Sequence, residues 1–177
     1  RQLLDDDTKR PRYVETIPKR GFRLVAPVVA AEPGGPPRVA VLPFENLGRR
    51  FDDDALVDGF ADALTTELAR TPGLRVVSRQ SMLRFRGSST PVPQIAREVN
   101  ADAVVEGSLA RVDGRIRATA QLIDARSDQH LWAESCEGEA AETAVLLGRA
   151  TRAFAGAIRS TLLGGEAPRP RPAPEVL

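Results

Sequence analysis

The 177-residue chain holds one cysteine and one histidine, so two common kinds of site lack their usual residues. Cys136 has no second cysteine with which to form an internal disulfide, and His130 alone is a poor basis for a metal site. Long apolar runs are also missing, since the best candidate, residues 24–31, is far shorter than the ~18 residues that a membrane-spanning helix needs. The first residues are charged and acidic, unlike a secretory signal peptide. We therefore expect no membrane span, no metal, no cofactor and a reducing, cytoplasmic setting.

A strong net charge is absent as well, because 25 Lys and Arg are balanced by 24 Asp and Glu. This balance excludes a uniformly basic protein that coats nucleic acid. The charge is nevertheless uneven: residues 1–28 contain seven basic residues against four acids, whereas residues 38–163 contain sixteen arginines against seventeen acids. A local basic patch matters more for phosphate binding than the overall balance. A candidate contact with a polyanion therefore lies in the first segment.

Proline and glycine divide the chain into segments. Residues 30–37, "AAEPGGPP", predict a linker, because three prolines and two glycines sustain neither helix nor strand. The linker separates a first segment, residues 1–29, from a central block, residues 38–163. Residues 164–177 predict a Pro-rich, extended tail.

The central block begins with alternating strand and helix signals. Residues 38–44 form a short apolar run typical of a buried strand, and residues 74–79 predict a second strand. A helix is predicted between them, with residues 52–54 as an acidic N-terminal cap and residues 71–73 as its stop. The residues on its apolar face are Val57, Phe60, Leu64 and Leu68.

Local capping and turn signals follow. A short helix is predicted with Thr90 as its cap, Pro91 at its first position and Asn100 as a left-handed stop. The dipeptide Asp113-Gly114 then separates two alternating segments, which is the pattern of a type I′ hairpin turn. The positions expected on the buried face of the second segment are Ile116, Ala118, Ala120 and Leu122.

The block ends with a strand and a helix. Residues 129–135 predict a third antiparallel strand, and residues 141–163 predict a helix with Leu147, Phe154, Ile158 and Leu162 on its apolar side. The fold class is therefore α/β (α+β), with a mixed sheet of about five strands packed by three helices. A β-hairpin in the first segment precedes this sheet.

That hairpin is predicted over residues 12–24, "RYVETIPKRGFRL". Tyr13 with Glu15, and Phe22 with Leu24, have strand-like spacing, and Gly21 supplies turn freedom. A tight basic hairpin can insert into the minor groove of DNA, where the potential is most negative. On spacing alone, an ordinary surface hairpin remains the other interpretation.

The stretch "DDDTKRPRYVETIPKRGFRLVAPV" resembles the C-terminal end of OmpR-type winged-helix DNA-binding domains, in which this segment forms the wing. Matching positions are Pro11, Arg12, Tyr13, Glu15, Thr16, Gly21, Phe22 and Arg23. Pro18 stands where many members have arginine, and Phe22 replaces a common tyrosine, so groove contact would fall to Lys19 and Arg20. The resemblance implies double-stranded DNA as a partner, contacted through Lys9, Arg10, Arg12, Thr16, Lys19, Arg20 and Arg23. It also implies that the recognition helix lies upstream of residue 1, with residues 1–4 as its last turn.

The central block is similar to a domain that often follows bacterial winged helices and resembles the amino-terminal domain of TolB. Shared positions are Pro43, Phe44, Asn46, Leu47, Gly59, Leu64, Leu68, Arg79, Phe85, Gly107, Gln121, Leu122, Asp124, Leu131, Trp132 and Glu134. Asn100 replaces a usual Gly-Val turn. The resemblance implies an architecture and no catalytic role. Domains of this kind also occur in proteins linked to nucleotide cyclases.

No combination of candidate catalytic residues in the sequence predicts an enzyme. His130 and Asp128 lack a nucleophile in a G-x-S-x-G elbow, and Cys136 is surrounded by glutamates, which disfavour a thiolate. Neither a G-x-x-x-x-G-K nor a G-x-G-x-x-G phosphate loop is present. We expect that the protein is not an enzyme.

Three features have a binding interpretation beside a structural one. Trp132 could line a ligand pocket or pack under the last helix, and the second interpretation is favoured. Residues 52–54 could bind a cation, although helix capping accounts for them better. The arginines of "SRQSMLRFRG" could contact an anion or could simply be exposed.

Together these observations predict a cytoplasmic bacterial regulator of DNA-templated transcription that acts in signal transduction. The α/β block would bind a small-molecule effector or a protein partner, or would form a homodimer. The alternative is an accessory or scaffold domain of a signalling protein, such as one linked to a nucleotide cyclase, with no role in DNA binding.

Overall fold

The computed structural model describes residues 14–17, 21–24, 35–48 and 54–164. The chain divides into two compact units, Arg1–Gly35 and Pro36–Leu177. Most of the predicted tail and residues 52–53 of the predicted helix cap lie outside the described residues. None of the helices within the described ranges combines the length and hydropathy that a membrane-spanning segment requires.

The first unit contains a two-stranded antiparallel ribbon. Strand β1 is Val14–Ile17 and strand β2 is Gly21–Leu24. Their register places Val14 opposite Leu24 and Ile17 opposite Gly21. The hairpin predicted over this segment is therefore confirmed, while the connecting residues 18–20 lie outside the described residues.

The second unit is built on a mixed six-stranded sheet. Its strands are β3 (Arg38–Val41), β4 (Glu45–Asn46), β5 (Arg75–Val76), β6 (Ala103–Val112), β7 (Arg115–Asp124) and β8 (His130–Glu139). The order is β5-β3-β6-β7-β8, and β4 pairs with β6 beyond the end of β3. Pairs among β3, β4, β5 and β6 are parallel, whereas β6–β7 and β7–β8 are antiparallel.

The β6–β7 hairpin follows directly from its turn. Asp113 and Gly114 have φ values of 48° and 77°, which a type I′ turn requires at both central residues. The turn pairs Val112 with Arg115 and thereby sets the register along both strands. Buried residues of β7 alternate as predicted, and each of the four expected residues is at most 2% exposed.

One face of the sheet is covered by two long helices, α1 (Asp54–Ala69) and α4 (Thr143–Leu163). The predicted apolar face of α1 is buried, and so are Leu147, Phe154 and Ile158 of α4. Phe60 makes edge contacts with Phe44, at a centroid distance of 5.6 Å, and with Phe154, at 6.1 Å. Trp132 packs edge-on against Phe154 at 5.4 Å, so its predicted place under the last helix is confirmed. These aromatic contacts join the sheet and both helices into one core.

The opposite face is covered in part by two short helices, α2 (Arg79–Met82) and α3 (Val92–Val99). They pack Met82, Ile95 and Val99 against Ala40 of β3 and Val104 of β6. Beyond these contacts this face of β6, β7 and β8 carries charged pairs, among them Arg117 Nε with Glu137 Oε1 at 2.5 Å. The cover on this side therefore ends part-way along β6.

Two local predictions on this side are wrong. The strand predicted over residues 74–79 ends at Val76, because Ser78 caps α2 and its Oγ accepts from the Ser81 N–H at 3.3 Å. Thr90 does not cap α3: the chain stays extended through Pro91, with ψ of 141°, and the Thr90 hydroxyl bonds to Ser88 instead.

The left-handed stop predicted at Asn100 is confirmed, with φ of 51° and a bond from Ala101 N to Ala96 O. The α/β class and the mixed sheet are confirmed as well. Strand β4 and helix α2 are the short elements added to the prediction.

Candidate functional site

The predicted DNA contacts belong to the first unit. Thr16 lies on β1 opposite Phe22, and Arg23 lies on β2 opposite Glu15. The remaining predicted contacts lie outside the described residues: Lys9, Arg10, Arg12, Lys19 and Arg20. The ribbon thus places two of the seven residues on paired strands, and Lys19 and Arg20 lie between these strands in the sequence.

The second unit contains a cavity of about 730 Å³ beside the C-terminal end of β3. Its walls come from the segment 42–47, from residues 85–92 before α3 and from the first turn of α1. Residues of β6 and β7 form its floor where the cover by α2 and α3 ends. This volume lies within the range of small-molecule sites, ~300–1,000 Å³.

Strand β4 and the start of α1 hold one wall together. The Asn46 side-chain amide donates to Asp54 Oδ1 at 2.6 Å, and its Oδ1 accepts from the Gly48 N–H at 2.9 Å. Leu47 N donates to Leu109 O at 2.8 Å, which keeps the segment on the edge of β6. Asp54, predicted as part of a helix cap, is the first residue of α1. Its hydrogen bond with Asn46 therefore anchors the helix to β4.

The floor of the cavity consists of Glu106 and Ser108 on β6 and Gln121 on β7. Glu106 lies directly opposite Gln121 in the antiparallel register. All three side chains are half-buried, and no described residue hydrogen-bonds to them or forms an ion pair with them. This face belongs to the antiparallel part of the sheet, where polar side chains are common, and the cavity walls leave these three half-buried.

Sequence reasoning did not single out Glu106 or Ser108, and it named Gln121 only among the positions shared with the TolB-like domain. A signal was present, because two buried valines, Val104 and Val105, are followed at once by Glu106-Gly107-Ser108. That break in an apolar run within a strand indicates a local loss of cover on one face.

The arginines between α1 and α3 are engaged in ion pairs. Arg86 approaches Asp58 Oδ1 to 2.7 Å, and Arg79 lies 3.6 Å from the other oxygen of Asp58. Arg84 pairs with Glu98 at 3.2 Å and lies over the Phe85 ring at 4.6 Å from its centroid. These arginines therefore tie α2 and the following turn to α1 and α3, which favours the structural interpretation over an anion site.

The candidate nucleophile lies in a setting that disfavours its reactive form. Burial raises the pKa of the Cys136 thiol, Glu134 raises it further, and Arg149 opposes both. His130 is exposed at the start of β8, and no hydrogen bond joins its ring to Asp128 within the described structure. In the described ranges no three His, Cys, Asp or Glu side chains gather as metal ligands would.

Asp124 has a structural role at the end of β7. Its Oδ1 accepts from the backbone N–H groups of Arg126 and Ser127, at 3.0 and 2.7 Å, and from the Ser127 hydroxyl at 2.8 Å. Burial alone would raise the pKa of this carboxyl group, but the hydrogen bonds from Ser127 and Arg126 outweigh it and hold the pKa below its usual value. The carboxylate thus organises the β7–β8 turn.

Two curated proteins resemble this chain in sequence. "Putative adenylate cyclase 3" of Rhizobium meliloti (strain 1021) is 32% identical over 165 residues, which cover 91% of this chain and 28% of that protein. The cholera toxin transcriptional activator of Vibrio cholerae is 53% identical over 32 residues, or 18% of this chain and 11% of that protein. The chain therefore spans less than a third of the length of either relative.

Solved structures share the fold of the second unit. TolB from Acinetobacter baumannii superposes with a TM-score of 0.52 at 19% identity, covering 75% of this chain and 29% of that one. Lipoprotein GNA1162 from Neisseria meningitidis superposes with a TM-score of 0.50 at 17% identity, covering 71% of this chain and 99% of that one. Likeness at this level shows a common fold and does not transfer activity. The TolB-like fold expected from the sequence is thus confirmed.

The family of the second unit follows from a match to a family model. Residues 37–151 match the family described as "HilA/YgeH-like transcriptional regulator, second domain". The matched stretch begins at the boundary between the units and runs from the strand that opens the sheet into α4. The chain therefore belongs to the HilA/YgeH-like transcriptional regulators, and its α/β unit is their second domain.

Proposed function

We propose that this chain is part of a cytoplasmic, DNA-binding transcription regulator in which residues 1–29 end an OmpR-type winged helix. The observation that carries the proposal is the antiparallel ribbon β1–β2, which precedes a regulator-family domain and whose turn segment is Pro18-Lys19-Arg20. A wing of this kind approaches the DNA backbone or minor groove, while a recognition helix reads the major groove.

The wing's contribution would be electrostatic and would not depend on the base sequence. Lys19 and Arg20 would neutralise phosphates, and each contact would add about 0.9 to the slope of log affinity against log salt concentration. Lys9, Arg10, Arg12, Thr16 and Arg23 would add contacts on either side. Removing the turn cations should therefore weaken binding to all sequences alike.

The test uses the full-length protein in DNA retention assays over a series of salt concentrations. The variant Lys19→Ala/Arg20→Ala should bind more weakly at low salt and show a slope shallower by about 1–2. The matched control, Arg70→Ala/Arg126→Ala, removes the same charge from exposed positions of the α/β unit. Equal slopes for the wild type and the wing variant would remove the ribbon from the mechanism.

For the α/β unit we propose a binding role without catalysis, as an effector-binding or dimer-forming domain. Two observations support this proposal. The raised pKa of Cys136 disfavours the reactive thiolate. Arg79, Arg84 and Arg86 form ion pairs with carboxylates of the same unit. Dimerisation would suit operators built of repeated half-sites. Light scattering on the 177-residue chain at several concentrations distinguishes a homodimer from a monomer.

A second candidate function rests on the similarity to the cyclase-named protein of Rhizobium meliloti. That match covers 91% of this chain, so it extends into the Arg1–Gly35 unit as well as the α/β unit. The pair of units would then be an accessory part of a signalling protein. Cyclase activity in the full-length protein, together with no DNA retention at low salt, would favour this candidate over the regulator.

A further inference from the structure

The floor of the cavity presents three acceptors that no donor among the described residues uses. The neighbours Val105 and Leu122 are completely buried in the core under α1 and α4. Because side chains alternate along a strand, Glu106 and Gln121 lie on the opposite face, toward the cavity. Ser108, two residues on from Glu106, lies on that face as well. Directly opposite residues of an antiparallel pair have Cβ atoms about 5 Å apart, so Glu106 and Gln121 can bind one small group together.

The charge around this floor is negative. Glu106, Glu45 and Asp54 line the cavity, and Arg86 is the only cationic side chain among its described lining residues. The Arg86 guanidinium already contacts the Asp58 carboxylate at 2.7 Å, so the three acids have no equal counter-charge among the described lining residues. A concave site lined by one sign of charge concentrates ligands of the opposite sign.

The walls carry apolar side chains beside their polar ones. Leu42, Phe44, Phe85, Val92 and Ile95 line the sides, and Phe44 and Phe85 are each less than a tenth exposed. A ligand with only polar atoms would leave this surface without a partner. The cavity therefore fits a molecule with a short apolar body and a polar end, in keeping with the usual composition of small-molecule sites.

We propose that this cavity binds a small organic cation, a primary amine or guanidine on a short aliphatic body, with Glu106 as the counter-ion. An ammonium group has three N–H donors and no acceptor. The carboxylate of Glu106, the side-chain oxygen of Gln121 and the hydroxyl of Ser108 accept one each. The aliphatic body lies between the apolar walls. This assignment concerns the α/β unit alone and goes beyond its proposed role as a binding domain.

The experiment is calorimetric titration of the 177-residue chain with 1,4-diaminobutane, with agmatine and with succinate, a four-carbon dianion. The two cations should bind and succinate should not. Glu106→Gln should weaken cation binding at least tenfold. Glu67→Gln makes the same charge change on α1, thirteen residues from Asp54 or about 20 Å along the helix, and should leave the affinity unchanged.

A second variant keeps the test decisive if Glu106→Gln fails to fold. Gln121→Ala removes one acceptor and should weaken cation binding roughly three- to tenfold. Absence of cation binding to the wild type, or equal binding of succinate, would overturn the proposal. Equal cation affinity in the wild type and in folded Glu106→Gln, or in Gln121→Ala, would also overturn it. DNA retention is not part of this readout, so failure here leaves the regulator proposal intact, and the reverse holds as well.

Discussion

Gly107 of β6 lies directly beneath the ring of Phe44, at the point where the chain passes from β3 to β4. A Cβ atom added at residue 107 would stand 2.5 Å from Phe44 Cε2 and would also collide with the carbonyl oxygen of Thr119. Phe44 is 3% exposed and packs edge-on against Phe60 of α1. Because Gly107 has no side chain, the β3–β4 connection can approach the sheet closely. Phe44 of this connection then forms part of one cavity wall.

The first prediction concerns this contact. Gly107→Ala should lower the free energy of unfolding by about 3 kcal/mol, because backbone and a buried ring must both shift. The matched control is Gly59→Ala at an exposed position of α1, where an added Cβ meets nothing within 4 Å. That change should be neutral or stabilising by up to ~1 kcal/mol. Urea unfolding of both variants gives the comparison, and similar midpoints would contradict the packing argument.

The second prediction is a pH dependence that originates at Asp124. Its folded-state pKa is held below the unfolded value, so its stabilisation is fully present above the unfolded pKa and is lost as the pH falls through the folded one. Asp124→Asn should cost about 1–2 kcal/mol at pH 7 through weakened bonds to Ser127 and Arg126. The difference from the wild type should shrink below about pH 4. Urea unfolding of the wild type and Asp124→Asn at pH 7, 5 and 3 measures this difference in the free energy of unfolding. A difference that does not change with pH would contradict the role given to Asp124.

The third prediction concerns thiol reactivity. Burial and the charge of Glu134 raise the pKa of Cys136, so iodoacetamide should alkylate it slowly at pH 7. Glu134→Gln should lower that pKa and speed alkylation about two- to fivefold, as expected for a partly exposed charge. Arg149→Gln should have the opposite effect, because the arginine favours the thiolate. Two variants that shift the rate in the same direction would show that altered exposure, not charge, controls the reaction.

Local signals in the sequence were sufficient wherever a feature depends on neighbours in the chain. Asp113-Gly114 specifies a turn whose two residues both need positive φ, and the turn then sets the register from Val112–Arg115 onward. The spacing of apolar residues predicted the buried face of α1 for the same kind of reason. The ribbon β1–β2 was also predictable, because Gly21 and the alternation on either side of it are local.

The errors arose where local preferences compete. Val77 and Ser78 suit a strand, but the Ser78 side chain caps α2 and ends the pairing of β5 after Val76. Thr90 is a good cap by residue type, yet Pro91 is itself extended, with ψ of 141°, and stands at the N-cap of α3, which begins at Val92. In both places the choice depends on which hydrogen bonds the packed structure allows.

The amino-acid sequence by itself determined the α/β class, the order of the main elements and the β6–β7 register, because periodicity and turn chemistry act over a few residues. Tertiary structure alone decided where the two-residue strand β4 forms and that Phe44 packs on Gly107. It also decided the cavity whose floor contains Glu106 and Gln121. These features join residues far apart in sequence, where no local preference specifies the partner. They form because burying Phe44 against Gly107 positions β4, and because α2 and α3 are too short to cover β6 to its end.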